Sequence, residues 1–296
     1  MSDYKWNNKV VQANQFVRQS YNNLKGLEIK VLDTLVSCVD TMHPKTKIEI
    51  TKSELAKAIG MRVDNNYTYV KQSLQALLNE TWSFTTSEYQ EYRHFLERVR
   101  WYHYEDRVEV EFHKDILPML VDLKTNFLVY SAYDLNYLKS RYTMILYKYI
   151  LSYIKQYKTT DFEIPYEELK KVLNVSKNYA RFDNFNNRVL KPFVSEVNNS
   201  KCLPYLVSYS KVIGNRKVVA IHFVVRARTD NEETLFSDIH SPILLEEYTN
   251  KLINGNTPIE EIKNRQADAF IKERDKQKQE QENQNISTPT DNNPFY

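Results

Sequence analysis

The stretch K-N-Y-A-R-F-D-N-F-N-N-R-V-L-K-P-F-V-S-E-V-N-N, Lys177 to Asn199, decides how the rest of the chain is read. Wound as a helix at about 100° per residue, it puts Phe182, Phe185, Val189 and Phe193 on one face. Lys177, Arg181, Asn184, Arg188 and Lys191 gather on the other. The apolar face is wide enough to seat in a core. The polar face carries four cations and an amide. Forked Arg and Asn side chains match guanine and adenine edges in the major groove of DNA. An isolated helix of this kind is ordinarily a surface helix with a solvated face. Its neighbours in sequence reverse that reading.

Upstream lies I-P-Y-E-E-L-K-K-V-L-N (164–174). Pro165 suits a first helical turn, and Glu167 and Glu168 suit the positive end of a helix dipole. Leu169, Val172 and Leu173 supply a short apolar face. A short helix, a break near 174–177 and a longer basic helix form a helix-turn-helix pattern. Downstream, two β-rich runs, Leu206 to Val212 and Val218 to Val225, flank I-G-N-R (213–216), a hairpin turn signal. The turn is basic, with Lys211, Asn215, Arg216 and Lys217 at or beside it. A helix-turn-helix followed by a basic hairpin is a winged helix. His222 on the second strand reads as a strand residue rather than a ligand.

Three runs carry a family resemblance: L-K-S-R-Y-T-M-I-L-Y-K-Y-I-L-S-Y (138–153), F-N-N-R-V-L-K-P-F-V-S-E-V-N (185–198) and R-K-V-V-A-I-H-F (216–223). They resemble plasmid replication initiators of the iteron-binding Rep type, which are tandem winged-helix, theta-type initiators. The pattern R-V-L-x-P-x-x-x-E-[IV]-N at 188–198 is the most specific part. It places Pro192 inside a helical pattern, which propensity alone resists. The chain departs from the pattern at Phe193, where the family usually has a small residue. The resemblance spans roughly residues 8 to 226 and leaves out the tail.

Length and composition narrow the classes. A chain of 296 residues has room for two ordinary domains. With Gly26, Gly60, Gly214 and Gly255 standing alone, neither a P-loop nor a Rossmann glycine motif is present. Cys38 and Cys202 read as buried thiols rather than a disulfide or a metal site. The first residues do not form a signal peptide, and no apolar run approaches membrane-spanning length, so the expected location is cytoplasmic. The net charge of +3 hides a division. Residues 1–133 hold 17 Lys+Arg and 17 Asp+Glu; residues 134–229 hold 17 and 7; residues 230–296 hold 7 and 14. The middle block, at +10, has the footprint of phosphate binding. The acidic tail is expected to be helical in part, disordered from 279 onward, and able to compete for the basic face.

The first half repeats the order of the second with little sequence identity. Leu27 to Val36 reads as a core helix. T-K-S-E (51–54) is a capping box opening a short helix that Gly60 ends. A longer helix follows over about 66–80, buried through Val70, Leu74, Leu77 and Leu78. A β-rich region runs from Trp82 to Phe112. Opposite the core face of the longer helix lie Thr68, Lys71, Gln72, Gln75 and Asn79, with one cation where the second module has four. Asp115 to Val129 reads as a short helix and a turn. Asp134 to Lys158 reads as the strongest helix, with a tyrosine-rich core stripe and Arg141, Lys148 and Lys155 as an outward basic stripe.

The expected fold class is α+β: two tandem winged-helix domains, 1–130 and 131–229, and an acidic, partly disordered tail, 230–296. The residues expected to bind DNA are Lys177, Tyr179, Arg181, Asn184, Arg188, Lys191, Lys211, Asn215, Arg216 and Lys217. Arg181, Asn184 and Arg188 are expected to read bases, the lysines, Tyr179 and Arg216 to hold phosphates. No His-x-His pair or metal-ligand spacing is present, so no cofactor and no enzymatic role are expected, and a nicking enzyme is the remote rival. The resemblance implies binding of direct repeats at an origin, recruitment of the host initiator and helicase, and a dimer, joined through the first module, that represses its own gene. A plain winged-helix repressor is the nearer alternative.

Overall fold

The computed structural model describes residues 2–5, 9–21, 23–41, 43–61, 67–85, 87–175, 179 and 181–228. The expected tail, 230–296, lies outside them. The chain opens with strand β1 (Lys9–Ala13), α1 (Asn14–Gln19) and the core helix α2 (Gly26–Ser37). Then come β2 (Lys47–Ile50), α3 (Lys52–Ala58), α4 (Thr68–Asn79), and four strands: β3 (Thr81–Thr85), β4 (Gln90–His94), β5 (Leu96–Trp101) and β6 (Val108–Phe112). The order helix, strand, helix, helix, hairpin is that of a winged helix, closed by a sheet in the order β2-β6-β5. Thr51 caps α3 as its sequence implies: its side chain accepts from the Glu54 N–H at 3.0 Å, while the Glu54 carboxylate accepts from the Thr51 N–H. Gly60 ends that helix at φ +77°.

Strand β7 (Phe127–Ser131) follows, where a turn was expected, and pairs antiparallel with β1. A 3-10 turn at Ala132–Tyr137 leads to α5 (Arg141–Tyr157), which is shorter than the expected 134–158. Ser140 caps it, accepting from the Tyr142 N–H at 3.2 Å. The second winged helix is α5, β8 (Asp161–Pro165), α6 (Tyr166–Val172), the long helical run from Phe182 to Asn199, β9 (Tyr205–Gly214) and β10 (Lys217–Ala227). Its sheet order, β8-β10-β9, repeats that of the first. Pro165 sits at the N-cap of α6, one residue before the helix proper.

The expected outward basic stripe on α5 is corrected. Lys148 is 1% exposed, and its Nζ donates to both Asp33 oxygens of α2 at 2.9 and 2.8 Å. Asp33 also accepts from Gln12 Nε2 at 3.0 Å, from the Tyr21 hydroxyl at 2.6 Å and from the Tyr130 hydroxyl. Lys148 Nζ lies 3.1 Å from the Tyr21 ring centroid. Burial pushes the Lys148 ammonium down to about 8, against the pull of Asp33. The pair locks α2, β1 and β7 to α5, so the two modules share one continuous interior. Lys155 sits over the Phe127 ring at 5.7 Å. Cys38 and Cys202 are buried free thiols. Among the described residues no helix is long and apolar enough to cross a membrane.

Candidate nucleic-acid interface

The helical run expected over 177–199 is built in three parts. They are α7 (Phe182–Phe185), a π turn (Asn186–Leu190) and α8 (Lys191–Asn199). The π turn accommodates Pro192. A proline inside an α-helix removes an N–H and crowds the preceding turn. Here the Lys191 N–H reaches back to the Asn186 carbonyl, five residues away, and Pro192 falls in the first turn of α8. Phe185, Val189, Leu190, Phe193 and Val197 are buried to 0–1% exposure. Phe193 packs edge-on against Phe223 of β10 at 6.5 Å, so the larger residue after the proline is absorbed in the core.

The motif residues beyond the proline hold this run in place. Glu196 Oε2 accepts from the Lys139 N–H at 2.8 Å and the Ser140 N–H at 3.2 Å, at the start of α5. Asn198 exchanges two bonds with Val207 of β9: its amide donates to the carbonyl at 2.9 Å and its oxygen accepts the N–H at 2.8 Å. The Tyr209 hydroxyl, also on β9, donates to Asn186 Oδ1 at 2.5 Å. Arg228, 4% exposed, donates to the carbonyls of Val197, Asn198, Ser200 and Leu203 at 2.7–3.0 Å. A guanidinium thus takes the place of water at carbonyls in and just past the last turn of α8. Arg228 and Tyr209 carry no motif signal and were missed by sequence reasoning. Their roles depend on contacts 25–31 and 23 residues away.

The expected site residues divide. Asn184, Arg188 and Lys191 are exposed on one side of the run, as expected. Asn187, Ser195 and Asn199 join them there. Arg181 is corrected: it is the N-cap of α7 with extended backbone, and it faces Asp183 at 3.6 Å instead of sitting on the helical row. Tyr179 is corrected too. It is 8% exposed and packs edge-on against Phe185 at 5.7 Å, so it belongs to the core rather than to the outward face. Burial raises its hydroxyl above the ordinary tyrosine value. Lys177 lies outside the described residues.

The wing is a two-residue hairpin. Asn215 and Arg216 have φ of 51° and 62°, both in the left-handed region, and Gly214 pairs with Lys217. Two successive positive φ values define a type I′ turn, whose twist matches that of the strands. Asn tolerates this conformation; Arg does so at a cost. Lys211, Asn215, Arg216 and Lys217 are all exposed, beside exposed Ile213 and Val219. Among the described residues, Arg188, Lys191, Lys211, Arg216 and Lys217 take part in no ion pair. His222 Nε2 shares a hydrogen bond with Asp161 Oδ1 at 2.5 Å. This fits its reading as a strand residue.

The corresponding surface of the first module is different. On α4, Thr68, Tyr69, Gln72, Gln75 and Asn79 are exposed and uncharged. Lys71 turns its Nζ to within 6.0 Å of the Trp101 ring. On the sheet, Glu109 meets Lys47 at 3.0 Å and Arg100 at 3.1 Å, Glu111 meets Arg98 at 2.7 Å, and Glu49 meets Arg107 at 3.4 Å. The Tyr102 hydroxyl also donates to Glu109 at 2.7 Å. The Tyr102 and Lys47 hydrogen bonds hold the Glu109 carboxyl down at about 2.

Comparisons with known proteins agree with this architecture. The family described as "Initiator Replication protein, WH1" matches residues 9–151, and "Initiator Rep protein, WH2" matches residues 165–225. A replication initiation protein of Escherichia coli is 25% identical over 203 residues, covering 64% of this chain. The chain matches 61% of that relative's length. The crystal structure of the Pi initiator protein in complex with iteron DNA superposes with a TM-score of 0.62 at 16% identity. That match covers 76% of this chain and 99% of the other.

Proposed function

Since the chain belongs to the family of winged-helix replication initiator proteins, we propose that it binds direct repeats at a plasmid origin and starts theta-type replication there. The observation that carries this is the row of Asn184, Arg188 and Lys191 beside a wing whose cations have no acidic partner among the described residues. A surface of unpaired cations around an amide-bearing helix costs self-repulsion, which bound phosphates relieve. The helix run enters the major groove with Arg188 and Asn184 toward base edges. Lys191, Lys211, Asn215, Arg216 and Lys217 hold the backbone and set the register. The likeness to an initiator crystallised on iteron DNA supports repeats as the target. The protein acts by binding, without a catalytic step of its own. Opening of adjacent A·T-rich DNA and recruitment of the host initiator and helicase follow in this reading, as does repression of its own gene by a dimer.

Footprinting on the DNA flanking the protein's own gene, with wild type and Arg188→Ala at near-physiological salt, tests the proposal. Protection phased at regular direct repeats, and lost in the variant, is the expected result. Protection of a single palindrome moves the function to a plain repressor. No protection at any salt makes the basic face a solvated one and ends the proposal. Stable nicking of supercoiled origin DNA in the presence of Mn²⁺ would make the protein an enzyme.

A further inference from the structure

The π turn changes which residue stands at the centre of the outward face. In an α-helix, residues four apart advance by about 40°. Phe185, Val189, Phe193 and Val197 would therefore fan over about 120°, yet all four are buried to 0–1% exposure. The turn at Asn186–Leu190 takes in one extra residue, about 100° of α-helical rotation, and brings the four back to one side. The point opposite that core face then moves from near Lys191 toward Asn187. Asn187 is exposed, and its side chain makes no hydrogen bond among the described residues. Its neighbour Asn186 is anchored to β9 through the Tyr209 hydroxyl. Asn187 is thus an uncharged amide, carried on a braced turn, between Asn184 and Arg188.

We propose that Asn187 is a specificity-determining residue that reads one adenine in the major groove, its oxygen accepting from N6–H and its NH₂ donating to N7. An asparagine amide has one acceptor and donors in a fixed fork, the complement of the adenine edge. It carries no charge with which to hold a phosphate. Tyr209 acts as a positioning residue, fixing the turn from the wing strand. The inference rests on the DNA-binding reading above, and it adds a contact at a residue that was not among those expected to read bases.

Competition binding tests it, using wild type, Asn187→Ala and Tyr209→Phe. The probes are duplexes in which each base pair of the footprinted site is replaced in turn, at two salt concentrations. Wild type is expected to lose on the order of tenfold in affinity when one particular A·T pair is replaced. Asn187→Ala should lose that preference, keep every other one, and keep the salt dependence. Tyr209→Phe should blunt the same preference with Asn187 still present. Equal weakening of Asn187→Ala on all duplexes, with a shallower salt dependence, would make the residue a phosphate contact and overturn the proposal. An unchanged profile would leave a solvated amide and overturn it too. If wild type fails to distinguish any duplex from random DNA, the DNA-reading function itself has failed, and the wild-type arm alone reveals it.

Discussion

The two winged helices share an element order and a sheet order, and they spend their charges in opposite ways. In the first, Lys47, Arg98, Arg100 and Arg107 are paired with Glu49, Glu109 and Glu111 across the sheet. In the second, Lys211, Arg216 and Lys217 stand on a longer hairpin with no carboxylate paired to them among the described residues. The same contrast holds on the helices: an amide-bearing α4 whose one cation, Lys71, lies toward the Trp101 ring, against a π-interrupted run bearing Arg188 and Lys191. One fold thus presents a self-neutralised face and an open one. A self-neutralised face has few cations left to release counterions from DNA, whereas an open one gains from each phosphate it meets. The comparison assigns stability to the internal pairs and binding to the unpaired cations, and it is open to direct attack.

The largest effect should come from the ion pair that joins the modules. Asp33→Ala leaves the Lys148 ammonium buried without a counter-charge, and strands the Tyr21 and Tyr130 hydroxyls. Breaking one side of a buried pair costs about 3–5 kcal/mol. Urea unfolding should show that loss, and adding Lys148→Met should return part of it. Arg188→Ala reverses the pattern. It should leave unfolding unchanged, cost about 1–3 kcal/mol of site-specific DNA binding and relax one base pair. If Asp33→Ala lowered only DNA affinity, or Arg188→Ala only stability, the division of labour between paired and unpaired charges would fail.

The buried pair also shows where sequence reading stops. Capping and turn chemistry are local, so Thr51, Gly60 and the hairpin at 213–216 announced themselves within a few residues. The apolar spacing of Phe185, Val189 and Phe193 likewise placed the second module's long helix correctly. Lys148 had no such signal. It recurs at seven-residue spacing with Arg141 and Lys155, as a solvated stripe would, and its partner is 115 residues away. Strand β7 was missed for the same reason, because its partner β1 lies at the other end of the module. Tyr179 followed the basic residues in sequence, and only the packing of Phe185 shows that it faces inward. The π turn is a tertiary compromise around Pro192, whose i→i+5 bond no periodicity of 3.6 reveals. Of the site, the outward row and the wing were legible. The brace formed by Tyr209, Asn198 and Arg228 was not.

An intermediate effect, of opposite sign in two measurements, is expected at the wing. Arg216 has φ 62°. A left-handed conformation costs an L-residue about 1 kcal/mol, and glycine avoids most of that. Arg216→Gly should therefore raise the unfolding free energy by about 1 kcal/mol while weakening all DNA alike. The slope of log K against log salt should shrink by about 0.9. Lys217→Ala should produce the same change in slope without the gain in stability. A loss of stability in Arg216→Gly would mean that the turn depends on the arginine side chain.

The smallest effect is the most direct test, because it moves the first module toward the second. Glu109 accepts from Tyr102 and faces Lys47 and Arg100, and these partners hold its carboxyl at about 2 against an ordinary 4.5. A carboxylate depressed in the folded state contributes stability that is complete above the unfolded value and is lost as the pH falls through the folded one. Wild type should therefore lose this contribution between about pH 4.5 and 2, and Glu109→Gln should show no such step from this position. At neutral pH the glutamine keeps a hydrogen-bond acceptor for Tyr102 but no longer neutralises Lys47, Arg100 and Arg107. Non-specific DNA affinity should rise slightly, with a salt slope steeper by up to about 0.9 for each cation that reaches a phosphate. The response should be equal on site and random duplexes, since α4 presents no forked cation to a base edge. An unchanged slope would mean that the first module's sheet stays clear of DNA even when its cations are released, so that geometry, and not charge pairing, separates the two modules.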